Sequence, residues 1–241
     1  MNGPQFENPV FTRDSSGEFV CADMSIKLIL SVTVGSRAHG TDSATSDIDT
    51  RSVYLYPTST LVSLTPRPRF KAGRGLDDNC WELDRFIDLS MKGNPATLEV
   101  LMVQPDTVTP EGEELRALYP HFLRKIAVWG SFKGFAKHQR VTMRSQTSKR
   151  RVSSGAHYLR VLYNGAEILR TGTMSVRIMD TPLGATVMAA KRGELSFDEV
   201  ERLGAELEAD LDRAYSVSTL PEEANLAAIN DFLIRTRKAN W

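Results

Sequence analysis

SVTVGSRAHGTDSATSDIDTRSVYL, residues 31–55, decides how the rest of the chain is read. The apolar run Ile26 to Val34 leads into the glycine-serine turn Gly35-Ser36, and a second apolar run, Val53 to Leu55, follows two aspartates. The pattern predicts a strand, a turn, a polar loop and an acid-bearing strand. In an extended strand alternate side chains share a face, so Asp47 and Asp49 are expected on one side and Ile48 in the core. Two adjacent carboxylates repel one another unless a cation lies between them. Gly35 and Gly40 allow backbone N–H groups to converge, and the Ser36 hydroxyl adds a donor. Hard oxygen ligands beside such a turn suit a magnesium-bound nucleoside triphosphate. Arg37, in the same turn, joins Gly35 and Ser36 as a candidate for holding the nucleotide.

A two-metal phosphoryl-transfer site needs a third acid from a neighbouring strand. Asp77 and Asp78 stand before Cys80-Trp81-Glu82-Leu83, and Asp77 is preferred because it would share a face with Asn79 and Trp81. Farther on, the basic cluster Lys149, Arg150 and Arg151 precedes a helix whose polar face carries His157 and Arg160. Closed over a cleft, Lys149, His157 and Arg160 would neutralise outer phosphates or an acceptor backbone. His39 reads equally as a structural part of its turn. His121 and His138 show no ligand spacing, and nothing suggests zinc.

With 30 basic and 30 acidic residues in 241, the chain carries no global nucleic-acid signature, so any such binding is expected to be local. Residues 1–25 are polar and broken by Gly and Pro, unlike a secretion signal. The apolar run Leu28 to Val34 is too short to cross a bilayer. Cys21 and Cys80 form neither a metal-ligand spacing nor a disulfide framework, which fits a reduced, cytoplasmic setting. Oligomeric state cannot be read from these residues.

Proline and basic residues around Arg67 to Arg74 predict a mobile loop. Cys80 to Met91 begins with strand spacing and becomes helical, Gly93-Asn94 stops that helix, and Pro95 suits the first turn of the next. From Glu111 onward helical spacing dominates, apart from a strand-like piece, Thr173 to Ile178. Ser154 to Thr171 is an amphipathic helix with His157, Arg160, Asn164 and Glu167 opposite its apolar stripe. Ser196 followed by Glu199 predicts a capping box opening a helix to Tyr215, and Pro221 to Lys238 forms the last helix. Trp81, Phe86 and Trp129 occupy apolar positions and are expected in the core rather than stacking on bases.

GSRAHGTDSATSDIDTRSVYLYP resembles the signature of nucleotidyltransferases of the DNA polymerase beta superfamily, in particular a bacterial and phage sub-group associated with RNA repair. WELDRFIDLSMKGNPATLEVL, AHYLRVLYNGAEILRTGTMSV, KRGELSFDEV and LPEEAN extend the likeness over most of the chain. The resemblance implies an α+β fold, a small mixed sheet with flanking helices followed by a mostly helical region. Divided accordingly, residues 1–108 form the catalytic domain and 109–241 a helical nucleotide- and acceptor-binding region. Gly35 and Ser36 would hold the triphosphate, while Asp47, Asp49 and Asp77 would bind two Mg2+ or Mn2+ ions. The implied reaction moves a nucleoside monophosphate from a nucleoside triphosphate to an acceptor hydroxyl, an RNA end by the sub-group likeness, with release of pyrophosphate. Nucleotidylation of a protein or small molecule, and a non-catalytic nucleotide-binding module, are the rival readings.

Overall fold

The computed structural model describes residues 11–13, 19–21, 26–64, 79–145 and 149–241. Strands β1 (Phe11–Arg13) and β2 (Phe19–Cys21) are followed by β3 (Lys27–Val34), α1 (Gly35–His39), β4 (Asp49–Leu55) and α2 (Thr58–Val62). Next come β5 (Asn79–Glu82), α3 (Leu83–Met91), α4 (Pro95–Met102), β6 (Thr107–Val108) and α5 (Pro110–Ala117). Beyond these lie α6 (Tyr119–Phe122), α7 (Lys125–Ser145), α8 (Lys149–Thr171), α9 (Gly184–Arg192), α10 (Phe197–Val217) and α11 (Leu226–Ala239). The fold is therefore α+β, with a mostly helical C-terminal region.

Four strands form the main sheet in the order β5-β4-β3-β6, and β1 pairs with β2 separately. β3 runs antiparallel to β4 and β6, whereas β4 and β5 are parallel, so the sheet is mixed. β3 is an inner strand of this sheet. Ile29, Leu30, Ser31 and Val32 are accordingly all buried, which is why this strand reads as a nearly continuous apolar run. The same core continues from Ile29 through Phe86, Leu98 and Phe132 to Tyr158, Leu211 and Phe232. It joins the sheet to the bundle in which α7, α8 and α10 pack together.

Local chemistry sets several boundaries. Glu82 accepts from the Asp84 N–H at 2.8 Å where β5 turns directly into α3. Asn94 caps α4 and Pro95 occupies its first turn. Ser196 and Glu199 make the expected capping box of α10. Trp81 and Phe86 are buried, and Trp129 packs against Tyr215 with ring centroids 5.0 Å apart. α11 returns to the sheet: Arg237 pairs with Glu82 at 2.7 Å, the Thr58 N–H donates to the Asn240 carbonyl, and Asn240 Nδ2 donates to the Tyr56 carbonyl.

Three expectations change. Pairing of β3 with β4 ends at Val34 opposite Asp49 because Gly35 begins α1, so Asp47 precedes the strand and Ile48 is 62% exposed rather than in the core. Thr173 to Ile178 finds no strand to pair with. It is a loop ending in a short 3₁₀ turn, Ile178–Asp180, with Met174 and Ile178 buried and Ser175 bonded to Glu167. The helix expected from Ser154 begins earlier, at Lys149, and the last helix begins later, at Leu226. Residues 221–225 are held instead by the Pro221 carbonyl, which accepts from Lys125, and by the Asn225 N–H, which donates to His121. Arg67 to Arg74, Asp77 and Asp78 lie outside the described residues.

Candidate active site

The turn after β3 and the start of β4 form one wall of a cavity of about 530 Å3. Because Val34 faces Asp49, the Asp49 side chain comes to rest against the next residue, Gly35. A Cβ on Gly35 would lie 2.1 Å from Asp49 Oδ2, and its φ of +68° is in the left-handed region. Both facts require glycine there. Gly35, Ser36, Asp47 and Asp49 all line the cavity, so the two aspartates meet in one space although only one belongs to the strand. Arg37 is exposed, donates Nη2 to the Ser46 carbonyl at 3.1 Å, and does not line the cavity.

The opposite wall comes from α4, α8 and α9. Glu99, in the apolar run Leu98 to Leu101, is buried and stands at the centre of a charged cluster. His39 Nε2–H donates to its Oε1 at 2.5 Å, Arg51 Nη1 to its Oε2 at 2.5 Å and Arg160 Nη1 to its Oε1 at 3.3 Å. Burial alone would raise the Glu99 pKa. Arg160, His39 and Arg51 outweigh it and hold this carboxyl well below the usual range, so Glu99 is a carboxylate. Burial, then the charge of Arg160, lowers His39 despite its contact with Glu99. The same two causes push His157 down to about 3. The fold therefore disfavours the charged form of His157.

Arg51 stands two residues beyond Asp49 on β4, so both side chains reach the same cavity. Lys191, near the end of α9, donates to the Thr41 carbonyl at 2.7 Å. Partial burial lowers its pKa, while Asp42 and Asp49 oppose that shift. It is a cation from the helical region that reaches the aspartate wall. Of the expected basic residues, Arg160 and His157 line the cavity. Lys149 is described only by its place at the start of α8, and the Arg151 guanidinium sits 5.6 Å from the Phe197 ring centroid.

Arg51, Glu99 and Lys191 were not singled out by sequence. Two signals exist nonetheless: a carboxylate inside an apolar helical run, and an arginine at the alternate strand position after Asp49.

Asp47 and Asp49 present hard carboxylate oxygens on one wall, and the glycine at residue 35 leaves room for them. That donor chemistry fits a divalent cation such as Mg2+ or Mn2+. Among the described residues, no three His, Cys, Asp or Glu are grouped to hold a metal ion, so the pair by itself is not a full ligand set. No helix among the described residues is long and apolar enough to cross a membrane.

The family model for RlaP, the RNA repair pathway DNA polymerase beta family, matches residues 18–235, and the chain belongs to this family. Comparison with curated proteins and with solved structures returns no match.

Proposed function

Starting from that membership, we propose that the protein is a metal-dependent nucleotidyltransferase that moves a nucleoside monophosphate from a nucleoside triphosphate to an acceptor hydroxyl, an RNA end. One observation carries the reading. The acidic pair Asp47 and Asp49 shares a single cavity, large enough for a nucleotide, with Arg51 of β4 and with Lys191 and Arg160 of the helical region.

In the proposed reaction the acceptor oxygen bonds to the α-phosphorus while the bond from that phosphorus to pyrophosphate breaks. The acceptor proton passes to a carboxylate of the acid cluster. Mg2+ or Mn2+, held by Asp47, Asp49 and Asp77, would neutralise phosphate charge and favour the ionised acceptor. Gly35 and Ser36 bind the phosphates through the turn, and Lys191 offsets charge on the departing pyrophosphate. His157 contributes neutral hydrogen-bonding capacity. A cytoplasmic location follows from the proposed RNA substrate.

The test is incubation of the pure protein with each α-labelled nucleoside triphosphate, Mg2+ or Mn2+, and total RNA. The RNA, protein and small-molecule fractions are then separated. Label in RNA is the expected result. Label only in protein or in a small molecule selects a different acceptor, and label nowhere, with nucleotide still bound, indicates a non-catalytic module.

A further inference from the structure

Asn164 belongs to the polar face of α8, yet it is only 2% exposed. His157, Arg160 and Asn164 lie three and four positions apart on this helix, so their side chains are neighbours. His157 and Arg160 line the large cavity, whereas Asn164 lines a separate chamber of about 40 Å3 between α4, α7 and α8. Phe132, Phe135, Val161 and Met174 make the apolar part of the chamber wall. Arg160 and His157 line the chamber as well, and so are common to both spaces.

The Asn164 amide is held at one end. Its Nδ2 donates to Met174 Sδ at 3.7 Å, and its Oδ1 receives no donor among the described residues. Turning the amide over would leave the NH2 group in the chamber instead, so one polar group lacks a protein partner in either orientation. A buried amide oxygen without a donor is costly, and native interiors satisfy such groups with protein or with ordered water. Arg160, one turn back on the helix, uses Nη1 on Glu99 at 3.3 Å and makes no bond to Asn164. The chamber is too small for a nucleobase, but a water molecule, which takes about 30 Å3 in the liquid, fits it. Such a water donates to Asn164 Oδ1 and accepts from an Arg160 N–H. The neutral form of His157, which the fold favours, supplies a ring nitrogen as a second acceptor.

We infer that this chamber holds one buried water molecule bridging Asn164 Oδ1 to the Arg160 guanidinium, and that Asn164 is thereby a positioning residue for Arg160. Glu99 ties one nitrogen of that guanidinium directly. A planar group tied at one nitrogen can still swing about that bond, and a second tie through the water stops it. The bearing on catalysis rests on the nucleotidyltransferase reading, whereas the water and the hold on Arg160 are tested without turnover.

A crystal structure of the full chain at a resolution that shows ordered waters should place one within hydrogen-bonding distance of both Asn164 Oδ1 and an Arg160 nitrogen. Asn164→Leu, or the smaller Asn164→Val where leucine does not fold, removes the acceptor and should lose this water. Asn164→Ser keeps an acceptor with more room and should retain it. The hold on Arg160 is read by NMR from its Nε–H signal, identified by its loss in Arg160→Gln. That proton should exchange with solvent about threefold faster or more in the apolar variant than in the wild type, with Asn164→Ser in between. In labelled-nucleotide transfer the apolar variant should lose about three- to tenfold in kcat/KM, and the loss should vanish in an Arg160→Gln background. A wild-type chamber without a water overturns the proposal, as does an Arg160 proton that exchanges equally fast in the wild type and the apolar variant. Losses in turnover that add to that of Arg160→Gln overturn the positioning role. Absence of transfer by the wild type would count against the assigned reaction alone, since neither the water nor the exchange rate depends on it.

Discussion

Two buried carboxylates meet arginine at the sheet of this protein, and their surroundings assign them different work. Glu82, at the end of β5, faces one guanidinium, Arg237 of α11, and also caps α3 and accepts from the Tyr56 N–H. Burial raises its pKa to about 7, with Asp84 adding to the shift and Arg237 opposing it. Glu99, on α4, faces two guanidiniums and a histidine N–H and is held firmly ionised. The Glu82 site joins the C-terminal helix to the sheet and lies away from the cavity. The Glu99 site brings two guanidiniums to a cavity that also holds Asp47, Asp49 and Lys191. An ion pair away from the cavity holds elements together, whereas one that lines the cavity can also meet a ligand.

Substitutions can break this comparison. Glu99→Gln should have the largest effect on stability, about 3–5 kcal/mol in chemical denaturation, because two largely buried guanidiniums lose the carboxylate they both pair with. Arg237→Gln should cost less, about 2–3 kcal/mol, since Glu82 already titrates near neutrality and can take up a proton, and nucleotide transfer should be retained in the folded fraction. Arg160→Gln should cost only about 1–2 kcal/mol, because Glu99 keeps Arg51 and His39, yet it should lower kcat/KM by about tenfold or more. Comparing denaturation and turnover for these variants decides the matter. If Arg237→Gln impaired turnover as much as Arg160→Gln did, the distinction between the two sites would fail.

The smallest expected effect is a slope. His157 has its pKa lowered from 6.5 to about 3, so the fold disfavours its charged form. Its contribution is fully present above about pH 6.5 and declines as pH falls toward 3, because the unfolded chain takes up the proton first. Between pH 6 and 4 this group should cost the wild type about 1.4 kcal/mol per pH unit. His157→Gln removes it, so unfolding free energies of the two proteins should converge or cross as pH falls. Parallel curves would show that the imidazole titrates normally.

Local features were legible in sequence because they depend on near neighbours. The β3–turn–β4 unit, the strand-to-helix passage at Leu83, the Asn94-Pro95 helix start and the Ser196 capping box each follow from residues a few positions apart. Thr173 to Ile178 was misread because Met174, Val176 and Ile178 alternate as in a strand. Alternation marks which side chains turn inward, and only a partner strand turns that pattern into a sheet. The placement of Ile48 failed for the same reason, since pairing stops at Asp49. Within the site, the aspartates and Arg160 were visible. Arg51, Glu99 and Lys191 gain their meaning from contacts spanning 48 to 150 positions, and no local pattern records such distances.

The measurement that bears most directly on the central claim compares wild type and Asp49→Asn for incorporation of α-labelled nucleotide into RNA, with and without Mg2+ or Mn2+, at matched folded concentration. The account predicts metal-dependent incorporation by the wild type and a loss of about 10³-fold in the variant, with its unfolding transition retained. Incorporation by Asp49→Asn at the wild-type rate would contradict it.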